Sequence, residues 1–131
     1  QYWPQWERFV REAMLTRAYI CGKEFSFFKI MDNCDAAVGE IETFYRNFHS
    51  YRFVKQDLVI RLNHPPVPGL IDTLNQSFGD VLTKGKIRQT EPLADETDDQ
   101  GTLHLPRLSV PFNRQDFARL REMIDVINLE G

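Results

Sequence analysis

Apolar side chains recur at helical spacing near both ends of this chain and at strand spacing in its second half. Residues 4–18 place Trp6, Phe9, Val10, Ala13 and Met14 on one face and Glu7, Arg8, Arg11 and Glu12 on the other, the 3.6-residue period of an amphipathic helix. Pro4 suits its first turn and Gly22 its termination. FSFFKIM, residues 25–31, is apolar apart from Ser26 and Lys29. Such a run predicts a strand covered on both faces, as in a parallel sheet. Asn33 then caps a helix over 34–48, with Asp35 in its first turn. The expected buried stripe of that helix is Val38, Ile41, Tyr45 and Phe48, widened by Ala37 and Phe44.

After His49 the pattern changes. YRFV (51–54) and LVIRL (58–62) predict two strands joined through KQD in a hairpin. NHPPVPG is a rigid connector, and residues 69–83 form a helix with Ile71, Leu74, Phe78 and Val81 on one side and Gly85 closing it. KIRQTE (86–91) and LPRLSVPF (105–112) predict two more strands. Between them PLADETDDQGT, with Glu91, holds five acids and no base. That composition predicts a solvated, mobile loop over about 91–104. Asn113 caps the last helix with Asp116 at its third position, and Phe117, Leu120, Ile124 and Ile127 form a buried stripe ending near Asn128.

Two parts result. Residues 1–48, helix–strand–helix, read as the terminal elements of a Rossmann-like α/β domain. Residues 49–131 read ββαββα, a small α+β sandwich nearest to a ferredoxin-like or ACT-like unit. The first part has one doubly apolar strand and no sheet for it to join. The chain also opens without a methionine, directly on an amphipathic pattern with two tryptophans, as expected of a piece of something longer. Its partner is then the missing N-terminal Rossmann portion or another copy of itself.

With 131 residues, 42% of them hydrophobic, the chain can bury a sizeable core. The formal net charge of −3 supplies no basic field and weighs against nucleic acid as a partner. No apolar run approaches the ~20 residues of a membrane span. Two cysteines, Cys21 and Cys34, do not make a disulfide scaffold, which points to a reduced, cytoplasmic protein.

Chemical motifs are sparse. GxGxxG, a P-loop, HExxH and GxSxG are all missing, so no catalytic residue, metal or cofactor is assigned. Asp32 with Asp35, Cys34 at a helix start, and Asp98, Asp99 and His104 in one loop are better read as helix-start acids, a bystander thiol and solvated polar residues. FYRNFHSYRFV, residues 44–54, is the exception. Its aromatics fit core packing, but residues 44–62 set Arg46, Arg52, Lys55 and Arg61 against a single acid, Asp57. Arg46, His49, Tyr51 and Arg52 are therefore the candidate ligand or interface residues, suited to a phosphate, a nucleotide or an acidic partner surface.

Three segments together resemble a known family. YWPQWERFVREAML is similar to a late helix in the Rossmann-type domain of LOG-family, lysine decarboxylase-like proteins. FKIMDNCDAAVGEIETFYRNFHSYRFV is similar to the last strand and helix of that domain running into a carboxy-terminal extension, and LPRLSVPFNRQDFARLREMIDVIN resembles the end of that extension. The resemblance implies a parent phosphoribohydrolase that cleaves nucleoside 5'-monophosphates to a free base and ribose 5-phosphate. The family's PGGxGTxxE phosphate loop is not in this sequence. The chain alone is therefore expected to be a non-catalytic accessory or regulatory portion. The other reading is a stand-alone ACT-like small-molecule-binding or oligomerisation module.

Overall fold

A computed structural model describes residues 2–130. The strand-period segments form β1 (Phe48–Val54), β2 (Asp57–Leu62), β3 (Arg88–Thr90) and β4 (Arg107–Val110). They make one sheet in the order β1-β2-β4-β3, with every neighbouring pair antiparallel. Helices are α1 (Tyr2–Phe9), α2 (Cys34–Phe44), α3 (Leu70–Ser77) and α4 (Phe117–Glu130). The protein is therefore α+β from β1 onward, in the expected order ββαββα. A βαβ unit would bring a parallel pair to a ferredoxin-like sheet. Two hairpins joined through α3 bring none.

Alternation along β2 and β4 splits the sheet into two faces. Leu58, Ile60, Leu62, Leu108 and Val110 meet Leu70, Leu74, Leu120, Met123, Ile124 and Ile127 of α3 and α4, and Phe48 joins them from β1. The opposite face carries Arg52, Asp57, Val59, Arg61, Arg88, Arg107 and Ser109, as the register requires. Buried Asn128 of α4 ties the start of β1 to this core. Its Oδ1 accepts from the amides of Asn47 and Phe48 at 2.9 and 2.8 Å, and its amide donates to the Phe44 carbonyl.

Residues 2–44 are built differently. α1 runs into a π-helical turn over Val10–Leu15, so the first expected helix forms. Asn33 caps α2 as expected, its Oδ1 accepting from the Ala36 amide at 2.8 Å. FSFFKIM does not form a strand. A 3-10 turn covers Gly22–Phe27, and the chain then runs irregularly to α2. A strand needs a hydrogen-bonded neighbour, and the sheet here ends at β1 and β3.

α2 also departs from expectation, in length and in facing. It stops at Phe44, and Phe48 belongs to β1. Val38, Ile41 and Tyr45, expected inward, are 53%, 59% and 52% exposed. The face turned to α4 is polar and aromatic. Glu40 accepts from Arg121 at 3.4 Å, and the Arg121 guanidinium sits 4.4 Å from the centre of the Phe44 ring.

Candidate functional site

The residues singled out in the sequence do not converge. In β1 the register puts Tyr51 on the helix face and Arg52 on the opposite face. Arg52 donates to Asp98 at 2.6 Å, which holds the Asp98 carboxyl below its ordinary range. His49 is exposed with its Nδ1 2.9 Å from the Ser50 hydroxyl, and Arg46 lies exposed in the turn after α2. Tyr51 is half-exposed beside Phe48 and Phe53, at centroid distances of 6.5 and 6.1 Å. Arg52 is thus committed to Asp98, and Tyr51 and Arg52 lie on opposite faces of the sheet.

The acidic segment does not behave as a solvated loop. Residues 91–106 fold over one end of the polar sheet face and insert Glu96 between two arginines. Glu96 Oε1 accepts from Arg107 Nη1 at 2.7 Å and from Arg61 Nη2 at 3.0 Å, while its Oε2 accepts from the Leu93 amide at 3.0 Å. Arg61 Nη1 also donates to Asp99 at 2.9 Å. Glu96, Arg61 and Arg107 are all buried. Burial opposes ionisation of Glu96, but the Leu93 amide and the two guanidiniums outweigh it and hold its carboxyl below the usual range. The acids that looked unpartnered in sequence have their bases on β2 and β4. The cluster seals one end of the sheet, and its polar groups are used up in doing so.

Several large apolar side chains stay exposed on residues 2–44. Val10 is the only buried residue among the described positions of this segment. Tyr2, Trp3, Phe9, Tyr19 and Phe27 are exposed, Trp3 by 58% and Phe9 by 59%. A groove of about 380 Å3 is lined by Trp3, Trp6, Phe28, Lys29, Ile30, Met31 and Ala37, with Trp6 and Phe28 edge to face at 5.0 Å. Residues 28–31 make no backbone–backbone hydrogen bond among the described residues, and Phe28 has an extended backbone (φ −144°, ψ 156°). Apolar side chains and free backbone groups are therefore presented together. The ties to the rest of the molecule run through residues 22–27, which lie along α4 with Ser26 Oγ 3.5 Å from the Ala118 carbonyl, and through Phe44, which packs on the core.

Comparison with known proteins adds no relative: no family model, curated protein or solved structure matches the chain.

Proposed function

We propose that this chain is an accessory, carboxy-terminal portion of a LOG-type nucleotide phosphoribohydrolase, in which residues 2–44 dock against the Rossmann-type catalytic portion and the ββαββα unit is the appendage. The observation that carries this reading is the unpaired, apolar segment 28–31 beside the groove of Trp3 and Trp6. A parallel sheet buries both faces of its strands and satisfies their backbone through neighbours. Phe28, Ile30 and Met31 suit such a place and lack the neighbour, while Lys29 is held by Glu40 of α2 at 2.6 Å. The outward stripe of Val38, Ile41 and Tyr45 gives α2 a second apolar face for the same purpose. Catalysis in this reading belongs to the partner portion, since no residue here supplies the phosphate loop.

The gene product containing this chain is expected to carry a PGGxGTxxE segment ahead of Gln1 and to release free base from nucleoside 5'-monophosphates, measured by chromatography of the base. A product without that segment and without base release contradicts the proposal.

A second reading, a binding or oligomerisation module acting alone, is favoured by one observation. The buried core cluster runs from Phe48 to Ile127, and of residues 2–44 Phe44 alone among the described hydrophobics packs against it, so the sandwich takes little of its interior from residues 2–44. Its likeness to ferredoxin-like and ACT-like units then lies in helices stacked on one face of a four-stranded sheet, not in how the strands connect.

A further inference from the structure

The polar face of the sheet is sealed at only one end. Segment 91–106 closes over Arg61 and Arg107, while Asp57, Ser109 and Arg88, at the other end of the same face, border open space. Two adjoining hollows of about 340 and 280 Å3 lie there and share Asp57 and Lys84 as lining. Lys84, Lys86 and Arg88 stand on one side and the 54–57 hairpin turn on the other, with Leu93–Asp95 as the rim.

Arg52, Lys55, Arg61, Arg107 and Arg119 each hold a carboxylate. Lys84, Lys86 and Arg88, within five residues of one another, form no ion pair among the described residues. The amides of Lys84, Gly85 and Lys86 also find no partner among the described residues, and Gly85 turns the loop with φ +60°. Three cations without an ion pair lining one hollow match a phosphate, which takes charge-assisted hydrogen bonds on several oxygens.

Asp57 narrows the class. Ser109, buried, donates to Asp57 Oδ2 at 2.8 Å and orients that carboxylate, leaving Oδ1 to accept from a ligand. A carboxylate in the cleft disfavours a bare anion and favours one that brings hydroxyl donors. We propose that this cleft binds a hydroxylated phosphate monoester, a sugar phosphate, with Lys84, Lys86 and Arg88 on the phosphate and Asp57 accepting from a sugar hydroxyl. The cleft uses none of the residues on the apolar face of 2–44 and stands or falls independently of the docking reading.

The test is a nitrogen-15 amide titration of the 131-residue chain with glucose 6-phosphate, inorganic phosphate and glucose as probes. Saturable shifts are expected at residues 84–88 and at Asp57, with glucose 6-phosphate binding tighter than inorganic phosphate. Lys84→Ala/Lys86→Ala, two exposed positions, weakens both phosphate probes by about tenfold or more, as expected for losing two charge-assisted contacts. Asp57→Asn removes the preference for the sugar phosphate and keeps inorganic phosphate. No saturable shifts, shifts untouched by the lysine double variant, or equal affinity for the two phosphates with no effect of Asp57→Asn would each overturn the assignment.

Discussion

Glu96→Ala is expected to lower the unfolding free energy by about 3–5 kcal/mol, the cost of breaking a buried ion pair and leaving its partners uncompensated. Arg61 and Arg107 would both lose their shared buried acceptor, although Arg61 keeps Asp99 and Arg107 keeps the carbonyl of Leu105. The Leu93 amide loses its acceptor as well. Denaturant unfolding of wild type and variant at pH 7 measures the difference. It also has a pH signature. The Glu96 carboxyl is held below its ordinary value in the fold, so the stability it contributes is present above the unfolded glutamate pKa of about 4.3 and is lost as pH falls below that. The gap between wild type and Glu96→Ala therefore shrinks on acidification. A gap under about 1 kcal/mol at pH 7 means that the 91–106 segment does not seal the sheet.

The second large effect concerns the apolar face. Phe28→Asp/Ile30→Asp is expected to destabilise the whole gene product by about 3–6 kcal/mol, from two apolar side chains at 1.5–3 kcal/mol each on full burial. In the isolated chain the same pair changes stability by about 1 kcal/mol or less, because both residues are only partly covered and the groove beside them is open. Thermal or denaturant melts of the two lengths make the comparison. Equal small effects in both would show that nothing docks on this face. If a second copy of the chain covers it, the isolated chain is a dimer by light scattering and the double variant a monomer.

The parts of the fold legible in sequence were those decided by local chemistry. The β1–β2 hairpin follows from two short strand-forming runs on either side of Lys55 and Gln56, and the cap at Asn33 from a side chain that accepts a neighbouring amide. The last helix starts later than its capping pattern implied, at Phe117, because Asn113 closes a turn in which Arg114 has φ +59°. What sequence could not display were pairings between distant segments. Glu96 meets Arg61 across 35 residues of chain, so an acid-rich run with no local base looked solvated. Arg52 looked free for a ligand because Asp98 lies 46 residues away.

The α2 stripe was misread for another reason. Periodicity identifies an apolar face but not what covers it, and here Phe44 and the Glu40–Arg121 pair take the inward side. Lys86 and Arg88 were read only as part of the strand KIRQTE, because what they form with Lys84 depends on Asp57 and Ser109 arriving from other strands.

Hydrogen exchange at the amides of residues 28–31 is the most direct measurement, made on the 131-residue chain and on the whole gene product. Exchange at near-unprotected rates is expected in the isolated monomer, and protection by several orders of magnitude once the segment has a neighbouring strand. Strong protection in a monomer of the isolated chain, unchanged in the whole gene product, would contradict an unpaired segment at 28–31 that becomes a strand only on docking.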